Sequence, residues 1–292
     1  MLSITERSNR NTTKIDLADG AEIARLINAE DRKVALVIKK ILPQIGQAVE
    51  EITARLRKGG RMAYFGSGTS GRIGVLDASE IPPTFGAPAE MVQGYIAGGE
   101  KAIRNAVENA EDNEAFARRD YKRFNPQEND IVVGISAGGS PRYVLKVMEL
   151  AREQGILTIA VTSNPRAKIK QYADIFLCTP IGPEAITGSS RMKSGTAQKM
   201  VLNMLSTGAM ILLGKTYHNY MIDLEMTNIK LRKRAVRFVR EITGATEEQA
   251  ETVLTECQNV KTACVMILRR CSQSKAEELL RQNNGVLRRI ID

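Results

Sequence analysis

An apolar strand running straight into a glycine-rich turn and then a helix recurs in this chain, and few folds accommodate that repeat. Residues 61–65 (RMAYF) form the first such strand, followed by G-S-G-T-S-G at 66–71 and a helical stretch. Residues 130–136 (DIVVGIS) repeat the arrangement, with A-G-G-S at 137–140 and a helix expected over about 142–154. Residues 91–96, 156–162 and 175–179 read as further strands. Short runs that are apolar throughout, rather than alternating, belong to parallel sheets covered on both faces. Helices placed between the strands supply that cover. The expected fold class is α/β with a parallel sheet, and ligands in such a fold sit at the carboxyl ends of the strands.

Helical segments flank the sheet region. Ile23, Leu26 and Ile27, then Val37, Ile41, Ile45, Val49, Ile52 and Leu56, recur at helical spacing, with a break expected at Pro43. Residues 194–213 read as a long buried helix whose Met200, Met204 and Met210 suit a core or a subunit interface. Beyond about residue 235 the strand pattern stops, and Thr246 followed three residues later by Gln249 is a capping box. The expected division is residues 1–235, a sheet domain with an N-terminal helical extension, and residues 236–292, a small helical domain.

Composition narrows the chemistry. The 292 residues carry a net charge of +9, much of it in residues 230–240 and at Arg288 and Arg289, which reads as a solvated helix face. The same charge draws anionic substrates without any nucleic acid. Aromatic residues are 4% with no Trp, too few for a base-stacking surface. The first residues are polar and no apolar run approaches the roughly 20 residues that span a bilayer, so a cytoplasmic protein with no membrane partner is expected. Cys178, Cys257, Cys264 and Cys271 lack paired metal-ligand spacing and read as core thiols, the last three on one stripe of a continuous helix. His218, the only histidine, falls in an expected loop. Acid–base work is therefore left to Asp, Glu, Lys or Tyr.

The 66–71 turn matches G-x-G-x-x-G, a pattern shared with dinucleotide folds. Two features favour a phosphate instead. The strand at 91–96 ends in A-G-G without an acidic residue for a ribose, and the turn holds three hydroxyls, Ser67, Thr69 and Ser70. Hydroxyls and backbone N–H groups at a helix N-terminus suit a phosphomonoester. Ser136, Gly138, Gly139 and Ser140 repeat the chemistry in the second turn, and Gly68 would bring backbone close to the ligand in the first. Glu80 follows the helix after the first turn, beside a double proline. Glu111 is expected in a helix over about 99–119, on the side of Ile103 and Val107. A glutamate on an apolar face is paired, neutral or functional.

The runs G-S-G-T-S-G-R-I-G (66–74), L-D-A-S-E-I-P-P-T (76–84), A-E-D (110–112) and G-S-S-R-M-K-S-G-T-A-Q-K (188–199) resemble the N-acetylmuramic acid 6-phosphate etherase family, and the likeness covers nearly the whole chain. The resemblance implies a sugar isomerase (SIS) three-layer sandwich with N-terminal helices and a C-terminal helical domain of UBA-like type. It implies a homodimer with neither metal nor organic cofactor. The implied reaction splits the lactyl ether of N-acetylmuramic acid 6-phosphate with water, a carbon–oxygen lyase activity of peptidoglycan recycling. The family's catalytic glutamates fall on Glu80 and Glu111: Glu80 as the acid that protonates departing lactate, Glu111 as the base at C2. Ser189, Ser190 and Lys193 are implied as substrate contacts. The second loop departs from the family's usual Ser-Gly-Arg-Thr-Pro, reading Gly138-Gly-Ser-Pro-Arg142, which bears on phosphate grip.

Three rival readings share the expected fold. A non-catalytic sugar-phosphate sensor, related to a vertebrate glucokinase regulatory protein, would need neither glutamate. A SIS-containing transcription factor predicts a helix-turn-helix, which residues 1–60 do not clearly show. An aldose–ketose isomerase would release no lactate.

Overall fold

The computed structural model describes residues 3–226 and 228–292. Short 3₁₀ turns at Ile4–Glu6, Arg10–Thr12 and Ile15–Leu17 precede three helices, α1 (Gly20–Asp31), α2 (Lys33–Ile38) and α3 (Leu42–Leu56). Strand β1 (Met62–Gly66) leads to α4 (Gly68–Ser79) and α5 (Ile81–Phe85), and β2 (Val92–Ile96) to α6 (Glu100–Arg104) and α7 (Glu114–Phe124). Then come β3 (Ile131–Ile135), α8 (Arg142–Glu153), β4 (Leu157–Thr162) and β5 (Ile175–Cys178). The rest is helical: α9 (Lys193–Leu212), α10 (Ile229–Thr243), α11 (Glu247–Cys257), α12 (Val260–Arg269), α13 (Gln273–Gln282) and α14 (Arg288–Ile291). Among the described residues no helix is long and apolar enough to cross a membrane.

The chain separates into two compact units. One comprises residues up to Ser79 with Glu90–Ser206; the other comprises Glu80–Ala89 with Thr207–Asp292. In the first, five parallel strands lie in the order β2-β1-β3-β4-β5. β1, β3 and β4 are buried along their whole length, which is why their sequences are continuously apolar. Phe65, Val132 and Ala160 meet Tyr121 and Phe124 of α7 and Tyr143, Val147 and Met148 of α8 in a closed core. The N-terminal helices follow from spacing and caps. Asp19 accepts the Glu22 N–H at 2.8 Å at the start of α1, and Pro43 occupies the first turn of α3, where no N–H is needed. The segment before Pro43 is not one helix, because the chain is re-set at Arg32 and again through a 3₁₀ turn at Lys39–Ile41.

The second unit has its own core, built from Phe238, Val239, Leu254, Val260, Cys264 and Val265. The Thr246–Gln249 capping box forms with both reciprocal bonds, at 3.0 and 3.2 Å. Cys257 ends α11, Cys264 lies in α12 and Cys271 follows it, so the three thiols share a core but not a continuous helix. Left-handed turns at Gln258 and Arg270 interrupt the expected stripe. Gly86, at φ +55°, lets backbone approach backbone: a Cβ there would stand 2.4 Å from the Asp223 carbonyl oxygen. Asp223 in turn accepts from Lys261 at 2.7 Å and pairs with Lys215 at 3.1 Å.

Candidate active site

β1 and β3 are neighbours, and Gly66 pairs with Ile135, so the loops that begin at Ser67 and Ser136 leave the sheet at one level. Strand order reverses here, and α/β sheets take their ligands at this switch point. The first loop turns within contact distance of its strand. A Cβ at Gly66 would stand 2.6 Å from the Gly71 nitrogen, and one at Gly71 would stand 2.6 Å from Ile96 Cγ1. Only glycines permit α4 to start there, with Gly68, Thr69 and Ser70 in its first turn, where N–H groups lack an intrahelical carbonyl. The loop and that turn carry the positive end of the helix dipole and three hydroxyl residues, Ser67, Thr69 and Ser70.

The second loop is clamped from within and from beside. Ser136, buried, accepts the Gly139 N–H at 3.0 Å, and Asn164 donates to the Gly138 carbonyl at 3.1 Å. Gly139 has φ +69° and no room for a side chain, since its Cβ would fall 2.3 Å from Ala167 Cβ. Ser140 is exposed and precedes Pro141, from which α8 springs.

A third segment, residues 181–194, carries Ser189 and Ser190, both half-buried, to the start of α9. Glu184, wholly buried, caps that helix by accepting the N–H groups of Lys193 at 2.9 Å and Ser194 at 2.8 Å. Gly195 then sits against the first loop, its Cβ position 3.5 Å from Thr69 Cγ2. The Lys193 ammonium, expected on substrate, turns inward instead. It is 1% exposed and donates to Glu30 at 2.6 Å and to the Ile181 carbonyl at 3.1 Å. Burial alone would raise the Glu30 carboxyl, but hydrogen bonds from Lys193, Lys33 and Asn11 bring it down to about 2.

The two glutamates occupy exposed positions. Glu111 does not lie on a long helix. α6 stops at Arg104, Asn109 takes a left-handed φ of 56°, and Ala110–Asp112 is a 3₁₀ turn. Asn113 then caps α7 by accepting from Ala115 at 2.9 Å and Phe116 at 3.3 Å. Asparagine competes for backbone bonds and tolerates the left-handed region, so the residues at 105, 109 and 113 cut the helical pattern apart. The burial expected for Glu111 is lost with the helix. Arg72 of α4 ties this stretch to the first loop, donating to the carbonyls of Ile103 at 2.8 Å and Asn105 at 3.3 Å. An open hollow lined by Asn109, Asp112, Asn113, Glu114 and Arg142 joins the Glu111 turn to the start of α8. Glu80 directly follows α4 and belongs to the second unit, where it is the N-cap residue of α5 with Pro82 and Pro83 in the first turn.

The first unit therefore gathers Ser67–Ser70, Ser136–Ser140 and the Glu111 turn near one sheet end. Sequence reasoning did not find Arg72, Glu184 or Glu30, whose partners are distant in the chain. Burial works against thiolate chemistry at two of the cysteines, pushing Cys264 up to about 12 and Cys178 up to about 11. Among the described residues no three His, Cys, Asp or Glu side chains gather as a metal site.

Comparison with known proteins adds family context. The profile of the glucokinase regulatory protein N-terminal SIS domain matches residues 44–152, that of the SIS domain matches 103–208, and that of the C-terminal lid domain of glucokinase regulatory protein matches 218–261. The N-acetylmuramic acid 6-phosphate etherase of Glaesserella parasuis serovar 5 is 50% identical over 287 residues, 98% of this chain and 94% of that protein. The enzyme of the same name from Histophilus somni is 49% identical over 99% of this chain and 96% of its own length. Among solved structures, a putative phosphosugar isomerase involved in capsule formation from Bacteroides fragilis matches with a TM-score of 0.50 at 22% identity. It covers 65% of this chain and 91% of that one, and bears on the fold alone.

Proposed function

This chain belongs to the N-acetylmuramic acid 6-phosphate etherase family, and from that premise we propose that it splits the D-lactyl ether of N-acetylmuramic acid 6-phosphate with water. The products are D-lactate and N-acetylglucosamine 6-phosphate, a step of amino-sugar and peptidoglycan recycling, and the class is carbon–oxygen lyase. One observation carries the substrate class: two hydroxyl- and glycine-rich loops leave adjacent strands at one level, the first at the N-terminus of α4. In this reading Ser67, Gly68, Thr69, Ser70, Ser136, Gly138, Gly139 and Ser140 hold phosphate, and Ser189 and Ser190 hold the sugar. Lys193 acts through the segment that it anchors.

The chemistry proposed is elimination followed by hydration. In the open-chain sugar the C1 aldehyde acidifies the C2 proton, which Glu111 removes. The C3–O bond then breaks, the electron pair leaving on the ether oxygen, which Glu80 protonates as D-lactate departs. The Glu80 carboxylate takes a proton from water, hydroxide adds at C3 of the double bond, and a proton returns to C2. The proposal includes a cytoplasmic homodimer. Leu36, Leu42 and Ile186 of the first unit, exposed in the single chain, are surface that a second copy could cover.

Incubating the purified chain with N-acetylmuramic acid 6-phosphate in heavy water tests this directly. D-lactate should appear and the sugar product should carry deuterium at C2. Glu80→Gln and Glu111→Gln should each slow lactate release by about 10²–10⁴-fold. Unlabelled product would rule out elimination. Near-normal turnover by either variant would remove that residue from its role. The match to the glucokinase regulatory protein profiles supports a second reading, a non-catalytic phosphosugar sensor, which predicts tight binding with no lactate at all.

A further inference from the structure

We propose that the N-terminal 3₁₀ turn is part of the phosphate site, with the Thr5 hydroxyl acting beside Ser140 as a donor for the second loop. The inference rests on the phosphosugar reading above and adds a residue that lies more than a hundred positions from the second loop.

The second loop is short of hydroxyls. Ser136 accepts the Gly139 N–H and keeps one O–H to donate, and Gly138 and Gly139 have no side chains. At Gly138 the backbone leaves ordinary space: a Cβ built there would lie 3.8 Å from Ser140 Oγ and 4.0 Å from Thr5 Oγ1. Two hydroxyls from different parts of the chain therefore face the spot that a residue-138 side chain would fill.

Thr5 is held there by design of its neighbours. It is 2% exposed, and the segment behind it is bound at two points, by Asn9 to the Pro183 carbonyl at 3.2 Å and by Thr12 to the Ala185 carbonyl at 2.7 Å. Its hydroxyl contacts Ser3 Oγ at 2.9 Å and donates to Glu6 at 3.4 Å, a long bond that a phosphate oxygen would outcompete. The other Glu6 oxygen reaches toward Gly188, 3.7 Å from its Cβ position. The turn thus lies near both Gly138 of the second loop and Gly188 of the segment that carries Ser189 and Ser190.

The test uses the full chain, calorimetry with N-acetylglucosamine 6-phosphate, and competition by inorganic phosphate. Thr5→Val, which keeps the shape and removes the hydroxyl, should weaken both about tenfold, with the loss appearing in KM more than in kcat. Thr5→Ser should bind within about threefold of the parent. The decisive variant is Thr5→Val with Gly138→Ser, which returns a hydroxyl to the same space and should recover most of the affinity. If Thr5→Val binds like the parent, the proposal fails while the phosphosugar reading stands. If it binds weakly, melts at a lower temperature and is not rescued by Gly138→Ser, Thr5 is structural and the proposal also fails. If the parent chain itself binds neither phosphate compound, the phosphosugar reading falls and takes this one with it.

Discussion

At the scale of single residues, Glu30 and Lys193 show how a site is braced from behind. Both side chains are almost wholly buried, and Asn11 adds a third contact at 2.9 Å. Breaking one side of such a pair leaves an uncompensated charge, so Glu30→Gln should cost about 3–5 kcal/mol in urea unfolding. The pH dependence has a definite sign. The folded carboxyl sits at about 2, below its ordinary value of 4.5, so its stabilisation is complete above about 4.5 and drains away as pH falls toward 2. The Glu30→Gln variant should lose that acid limb, and equal acid sensitivity in both proteins would count against the pair. Nothing in residues 28–33 announced this role. The partner of Glu30 in the run N-A-E-D-R-K lies 163 positions away.

At the scale of elements, the join between β1 and α4 depends on glycines that admit no methyl group. Gly71→Ala would press its Cβ to 2.6 Å from Ile96 Cγ1 and 2.7 Å from the Gly66 carbonyl oxygen. Overpacking of this kind costs about 1–3 kcal/mol, and because the loop itself must shift, phosphosugar affinity should fall together with stability in a thermal melt. Strands were the most readable elements. Apolar runs bounded by glycine and polar residues place β1, β3, β4 and β5 within a residue or so of their observed ends. The stretch from 99 to 124 was not readable in the same way. Its apolar residues keep a helical period, yet Asn105, Asn109 and Asn113 redirect the backbone three times, and asparagine is a much weaker stop signal than proline. The two Ser/Gly loops were legible as strand-to-helix turns; that Arg72 reaches the carbonyls of Ile103 and Asn105, and that Thr5 lies near Gly138, was not, since only the folded chain brings those partners together.

At the scale of the whole molecule, light scattering of the purified chain should give about twice the 32.1 kDa chain mass, the result expected of a homodimer. A mass of one chain at all concentrations would refute it. The division into two cores has another consequence. Residues 80–89 sit between two stretches of the first unit but pack with the second, where Gly86 meets the Asp223 carbonyl. The units are therefore not beads that a single recombination event could separate. A gene fragment ending near residue 206 would carry the 80–89 segment, Glu80 included, away from the surface that shapes it. Exchange of either unit between lineages needs paired crossovers around residues 80–89, or else joint inheritance of both.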